Sequence, residues 1–204
     1  MTQADIQPAE DRAAAPPFFG ARISLYPMTD RYVELILDAI KGLDRTGLEV
    51  ETDDVSTFLG GDRDAVFEQL ERIFAAAART KEHVVMTLLL SHGCPGETYC
   101  EATGEVRTPT SPTRALEKTG VRVSCQWSLY PLGIESYMDL IYREIDRTKS
   151  AGIFARGQHF VSSLGGDLAD VLRAIRSSFD AACADAGHVV AHVTLSANSP
   201  TGRS

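Results

Sequence analysis

The chain contains the same short motifs twice, in the same order. Ser-Leu-Tyr-Pro begins at Ser24 and Ser128, Leu-Gly-Gly-Asp at Leu59 and Leu164, and His-Val-Val at His83 and His188. The copies are 104 residues apart for the first motif and 105 for the other two, so one inserted residue reconciles them. Repetition at a nearly fixed spacing indicates a duplicated folding unit, and therefore two similar folds and two similar sites.

The length and the repeats together predict the domain organisation. A chain of 204 residues has room for about two small domains. We assign 1–17 to a disordered tail, 18–93 to the first repeat, 94–119 to a connecting loop and 120–200 to the second repeat. Units of this size are only modestly stable alone, so we expect the repeats to pack against each other, against another chain, or both.

Charge and composition exclude several classes of protein. A net charge of −8 argues against a nucleic-acid-binding protein, which usually has a basic face. No run approaches the roughly 20 apolar residues of a membrane helix, and the first residues lack the pattern of a secretion signal. Four cysteines do not form a disulfide framework in a chain this long. We therefore expect a cytoplasmic protein.

In the first half of each repeat, apolar residues first alternate with polar ones and then recur at helical spacing. Apolar residues alternate with polar ones over 19–26, which indicates a half-buried strand. Apolar residues then recur at helical spacing, and we expect this stripe to face the core; its members are Val33, Ile36, Leu37 and Ile40. Thr29 or Asp30 is the expected N-cap, and Gly47 is expected to end the helix.

The remaining segments complete a β-α-β-β-α-β order in both repeats. Two short strands are predicted over 48–59 with a turn near Asp53, then a helix after Asp62 with Val66 and Leu70 inward, then a strand over 84–91. In the second repeat the corresponding segments are a strand over 123–130, a helix over 134–149, a hairpin over 153–164, a helix over 167–184 and a strand over 188–196. This order predicts an α+β fold: tandem ferredoxin-like units, each an antiparallel sheet with two helices on one face.

The Leu-Gly-Gly-Asp motif precedes the second helix of each repeat. A glycine-containing turn before a helix can bind phosphate through the helix N-terminus. Here the motif ends in Asp62 and Asp167, whose carboxylates would repel an anion and stand where an N-cap residue is expected. We therefore interpret both aspartates as helix caps.

The motifs and the element order resemble those of the YkoF-type proteins. The paired Ser-Leu-Tyr-Pro strands, the two Leu-Gly-Gly-Asp turns and the loop Gly93-Cys94-Pro95-Gly96 carry the resemblance, which covers roughly residues 18–200. It implies non-catalytic binding of thiamin or its hydroxymethylpyrimidine precursor, one ligand per repeat, with no other cofactor. It also implies a cytoplasmic homodimer that acts in uptake or salvage of the precursor, with a functional link to a transporter.

The side chains on the polar face of the strands suit such a ligand. Thiamin offers a hydrogen-bonding aminopyrimidine and a cationic thiazolium, which call for hydroxyls, amides and aromatic or apolar walls. Face parity together with the resemblance predicts the ligand-binding residues Ser24, Tyr26, Thr57, Gln126, Ser128, Tyr130, Ser162, Ser163 and His192. Gln126 is suited to the edge of a pyrimidine, whereas Arg22 stands at its counterpart. Trp127 has the opposite parity and is expected in the core.

The two sites are expected to differ in charge. The first hairpin carries Glu51, Asp53 and Asp54 where the second carries Arg156, Gln158 and His159. If these residues line the ligand, the first repeat favours a cation, although Arg22 opposes this. The hypothesis is therefore two sites of different affinity.

Other interpretations of the same residues remain open. The Ser and Tyr face could be a solvated surface or an interface between sheets. No nucleophile, phosphate-loop or dinucleotide motif is present, yet a small enzyme acting on a pyrimidine-type metabolite, or a ligand-responsive regulatory module, fits the same fold. Cys94 and Cys100, with His92 nearby, could form a redox pair or a metal site, but two ordinary thiols in a loop are the preferred interpretation, since no convincing zinc spacing occurs.

Overall fold

Each repeat folds in the predicted order. A computed structural model describes residues 19–93 and 117–201. The first repeat comprises β1 (Phe19–Pro27), α1 (Tyr32–Lys41), β2 (Leu48–Thr52), β3 (Thr57–Gly61), α2 (Arg63–Ala78) and β4 (Val84–His92). The second comprises β5 (Arg122–Leu132), α3 (Tyr137–Ser150), β6 (Phe154–Gln158), β7 (Val161–Asp167), α4 (Leu168–Asp185) and β8 (His188–Ala197).

The two repeats share one continuous antiparallel sheet. Its strand order is β2-β3-β1-β4-β8-β5-β7-β6, so each half has the ferredoxin-like order and the α+β prediction is confirmed. The halves join where β4 pairs with β8, from Val84 opposite Ala197 to His92 opposite Val189. Leu88 lies opposite Val193 at the centre of this ladder, and the two occupy equivalent positions in their repeats. The repeats are therefore related by an approximate twofold axis that passes between these residues.

The four helices of residues 19–93 and 117–201 lie on one face of the sheet, and we call the other the open face because no described helix covers it. Rotation about an axis perpendicular to a sheet does not exchange its two faces, so the helices of both repeats lie on the same face. α2 and α4 pack next to each other there, and ion pairs link Arg63 to Asp180 and Arg176 to Asp64 across the contact. The repeats thus pack against each other, as their size required. Among the described residues, no helix is both long and apolar enough to cross a membrane.

A single core fills the space between the sheet and the helices. Trp127, Phe67, Phe74 and Phe179 are its largest fully buried side chains. The inward positions predicted for α2 are confirmed, because Val66 and Leu70 have no exposed surface. The predicted core position of Trp127 is confirmed as well.

The inward face predicted for α1 is wrong. The buried residues are Leu35 and Ala39, whereas Val33 and Leu37 are 53% and 62% exposed. Apolar residues occupy most of the circumference of this helix, so periodicity alone could not decide which side meets the sheet. In α3 the buried positions are the equivalent Leu140, together with Glu144 and Thr148.

The expected start and end of α1 are also corrected. Arg31 is the N-cap residue and makes no side-chain capping bond, while the Thr29 hydroxyl accepts from the backbone amide of Arg31 instead. The helix ends at Lys41. Gly47 adopts φ +72° in the turn before β2, a left-handed backbone that glycine tolerates best.

Both predicted aspartate caps are present, with different numbers of partners. Asp62 Oδ1 accepts from the backbone amide of Ala65 at 3.0 Å. Asp167 accepts from the amides of Ala169, Thr119 and Gly120 at 3.0, 3.0 and 2.8 Å, and from the Thr119 hydroxyl at 3.2 Å. Asp167 therefore also fastens the chain that enters β5.

We expect Asp167→Ala to destabilise the protein more than Asp62→Ala. Loss of a single cap bond at Asp62 costs about 1 kcal/mol, whereas loss of the additional amide and hydroxyl acceptors at Asp167 raises the cost to roughly 2 kcal/mol or more. Urea unfolding of the two variants measures the difference. Equal losses would show that the additional partners of Asp167 contribute nothing to stability.

Candidate functional site

The open face of the sheet carries most of the predicted site residues. Neighbours on adjacent strands share a face, and pairing places Ser24, Thr87, Thr194, Gln126 and Ser163 in one row across the sheet. The next row contains Arg22, Leu89, His192 and Ser128. Ser24 and Ser128 lie three strands apart, a separation of about 15 Å. The face therefore has room for two separate sites, one in each repeat.

In the first repeat, the loop between β2 and β3 folds back onto this face. We call residues 53–56 the first tip. The Ser24 hydroxyl donates to the backbone carbonyl of Val55 at 2.9 Å. Asp53 Oδ1 accepts from the amides of Val55 and Ser56 at 2.8 and 2.7 Å. Arg22 Nη1 holds the tip from the other side, donating to Asp53 at 3.1 Å and to the Ser56 hydroxyl at 3.0 Å.

In the second repeat, the equivalent contact recurs with different neighbours. We call residues 159–160 the second tip, between β6 and β7. The Ser128 hydroxyl donates to the carbonyl of Phe160 at 2.9 Å. The amide groups of Gln126 and Gln158 approach to 3.4 Å. With the Gln158 amide oxygen turned toward Arg156, the guanidinium donates to it at 2.8 and 3.0 Å.

The serine contact with the tip is duplicated in the two repeats. Val55 and Phe160 are equivalent positions, as are Ser24 and Ser128. A hydroxyl has one donor hydrogen and two acceptor lone pairs. Each serine gives its hydrogen to its tip and keeps acceptor capacity on the oxygen. The second tip leaves Ser128 only 9% exposed, whereas Ser24 remains partly exposed.

The predicted tyrosines and His192 border these serines. Tyr26 and Tyr130 follow Ser24 and Ser128 by two residues on the same face, and each is 47% exposed. His192 lies directly opposite Ser128 on the neighbouring strand and is exposed. The structure thus brings together a hydroxyl, a half-exposed aromatic ring and, in the second repeat, an imidazole.

Two of the predicted residues lie on the other face of the sheet. Thr57 pairs with Ile23, and Ser162 pairs with Trp127, so both hydroxyls point toward the helices. Thr57 is buried and bonds to Thr52 at 3.1 Å, and Ser162 is also buried. Placing them beside the serines of the first strands was wrong, because the register put Ser163, not Ser162, opposite Gln126.

The charges around the two tips differ as the hairpin sequences predicted. Glu51 lies opposite Phe58, whose partner in turn is Arg22, so its carboxylate belongs to the open face. Hydrogen bonds from the Ser56 and Val55 amides hold the pKa of Asp53 below its usual range, with a further contribution from Arg22. Arg156 shares the open face with Ser163 in the second repeat. The surroundings of the first tip are therefore acidic, and those of the second tip include the cation Arg156.

The contact between each serine and its tip could not be predicted from the sequence. The hairpin sequences indicate charged residues at the tips, but they carry no signal that a backbone carbonyl reaches across to each serine. The Asp53 and Ser56 spacing is a signal for an aspartate-capped turn, whereas the serine contact depends on how far the hairpin curls. Among the described residues no cluster of potential metal ligands occurs. Cys94 and Cys100 lie outside the described residues.

The order of the first tip should depend on pH through Asp53. A carboxyl whose pKa is lowered in the folded protein stabilises it above the unfolded pKa, and this contribution is lost as the pH falls through the folded pKa. We expect the Asp53 carboxyl to titrate below the usual aspartate range in a carbon-13 NMR titration. Asp53→Ala should accelerate amide exchange at Val55 and Ser56 near neutral pH. Titration at the ordinary value would show that the tip amides do not hold the carboxylate.

Comparison with known proteins identifies the family. The model of the YKOF-related family matches residues 18–97 and again 122–202. The "Putative HMP/thiamine-binding protein YkoF" of Bacillus subtilis (strain 168) is 37% identical over 185 residues, which cover 89% of this chain and 91% of that protein. Two matches in tandem agree with the duplicated fold. The chain therefore belongs to the YKOF-related family.

Proposed function

We propose that the chain binds thiamin or its hydroxymethylpyrimidine precursor on the open face, one molecule in each repeat, without catalysing a reaction. The observation that carries this proposal is the equivalent contact of Ser24 and Ser128 with their tips. Two separate positions with the same acceptor geometry favour two molecules of one ligand class. The name of the Bacillus relative supports the choice of that class.

The ligand's pyrimidine ring matches the groups around each serine. Its exocyclic amino group donates to the free lone pairs of the Ser24 or Ser128 oxygen. In the second repeat the Gln126 amide can pair with a ring nitrogen and the amino group together. Tyr26 and Tyr130 supply the partly apolar border that flat ligands require. Binding then depends on shape, aromatic contact and hydrogen bonding.

The charge difference separates two forms of the ligand. Thiamin is cationic at its thiazolium, whereas hydroxymethylpyrimidine is neutral at physiological pH. Glu51 and Asp54 leave the first site acidic even after Arg22 pairs with Asp53, so this site favours thiamin. Arg156 disfavours a cation in the second site, which therefore prefers the neutral precursor.

We further propose that two chains associate through the central part of the open face. Leu89 is 46% exposed at its centre, with Val85 and Val190 on the same face. Sedimentation of a monomer at micromolar concentration would contradict the homodimer.

The proposed role in the cell follows from the ligand. Capture of the precursor would serve its uptake or salvage, in functional connection with a transporter. A cytoplasmic location is the expectation from the cysteine content given above. Growth of a deletion strain on limiting precursor, compared with growth on thiamin, tests this role.

Isothermal titration with thiamin and with hydroxymethylpyrimidine tests the binding function. We expect two binding events per chain of different affinity. Ser24→Ala should weaken one event and Ser128→Ala the other, each about fivefold, because a lost hydrogen bond to a ligand costs about 1 kcal/mol. Ser124→Ala, on the open face of β5 but distant from both tips, is the matched control.

Each other outcome has a distinct meaning. Absence of heat with either ligand, on folded and ligand-free protein, would refute the proposed function. Slow conversion of the ligand, detected by chromatography, would favour a small enzyme that acts on a pyrimidine-type metabolite. A large change in oligomeric state on binding would favour a ligand-responsive regulatory module.

A further inference from the structure

Phe160, at the second tip, combines three unusual features. Its side chain is 95% exposed, the largest fraction among the large apolar residues of the described chain. Its backbone has φ +68°, a left-handed conformation that strains a residue with a bulky side chain. Its backbone carbonyl accepts a hydrogen bond from the Ser128 hydroxyl. A single exposed apolar residue is ordinary, but strain and exposure at the residue that closes a candidate site point to a role in that site.

The contact with Ser128 fixes the position from which the ring can act. Standard backbone dimensions place the Phe160 Cα within about 5.5 Å of the Ser128 oxygen, given the bond of 2.9 Å to the carbonyl. Any ligand group that contacts this hydroxyl therefore lies within reach of the benzyl side chain. The solvent-exposed ring is free to rotate, since its described ring neighbour, His159, lies 6.4 Å away at a tilted angle.

We propose that Phe160 is the specificity-determining residue of the second site and covers a planar ligand ring by stacking on it. This inference rests on the proposed function, since it assumes an aromatic ligand held at Ser128. Two aromatic rings attract when their centroids are about 4.5–7 Å apart, a range compatible with the position of the tip. The left-handed turn presents the ring to solvent at the tip, where a glycine would adopt the same backbone without strain but would offer no stacking surface.

The first repeat has no aromatic residue at the equivalent position of its tip. Val55 occupies the equivalent position and is 74% exposed, but it has no aromatic face. Arg22 lies beside the first tip instead and is stacked over Phe58 at 5.7 Å. The second site therefore selects for a flat ring through Phe160, while the first site selects mainly through charge.

Substitution of Phe160 tests the proposal by titration with hydroxymethylpyrimidine. Phe160→Ala should weaken the event assigned to Ser128 by about tenfold, and Phe160→Trp should restore it to within about twofold of the original. The fluorescence of the new tryptophan should change on binding. The change can be attributed to position 160, because the native Trp127 is buried on the helix side of the sheet. Val55→Phe should strengthen binding in the first site. Tyr142→Ala removes a similarly exposed ring on α3 and serves as the control.

The outcomes of these titrations distinguish the stacking role of Phe160 from the proposed ligand binding on which it rests. If the unaltered protein binds neither ligand, the proposed function fails and Phe160 has no ligand to cover. If the unaltered protein binds and Phe160→Ala binds equally well, the stacking role is refuted and the function stands. A change in sedimentation without a change in affinity would assign the ring to a contact between chains, and would also refute the proposal.

Discussion

The pairing of β4 with β8 is the constraint on which the rest of the structure depends. Each ferredoxin-like half ends in an exposed edge strand, and an exposed edge requires a partner or protection. Here the two edges satisfy each other in an antiparallel ladder centred on Leu88 and Val193. Gly93 follows directly, and a Cβ added there would collide with the backbone carbonyl oxygen of Gly187. The close approach of the two repeats at the end of this ladder therefore depends on glycine.

This pairing also determines which strand faces of the two repeats lie together. Because the approximate twofold axis is perpendicular to the sheet, all helices lie on one face and both polar strand faces lie on the other. Each hairpin then curls over its own first strand, and the serine there bonds to the tip carbonyl. The duplication preserved this contact while the neighbours diverged, with Arg22 in one repeat and Gln126 in the other. The two repeats therefore share the serine–tip contact and differ in the charged and polar groups around it.

The sequence was sufficient for those features that depend on local patterns. The tandem motifs predicted two units, alternation and helical spacing predicted the element order, and Asp62 and Asp167 were identified as caps. It was insufficient where the answer depends on tertiary contacts. Leu35 rather than Val33 faces the core, since apolar residues surround most of α1. Thr57 and Ser162 fell on the helix side because the strand register decides the face and a shift of one residue reverses it. The reach of the tips depends on hairpin curvature, for which no single residue is a signal.

A crystal structure of the protein with hydroxymethylpyrimidine bound would test the central claim most directly. The account predicts a ligand on the open face in each repeat, with its amino group within hydrogen-bond distance of the Ser24 or Ser128 oxygen and with the adjacent tip above it. A ligand on the helix-covered face beside Thr57 or Ser162 would contradict the account. So would a single molecule bound over the β4–β8 ladder, because the tips would then have no part in binding.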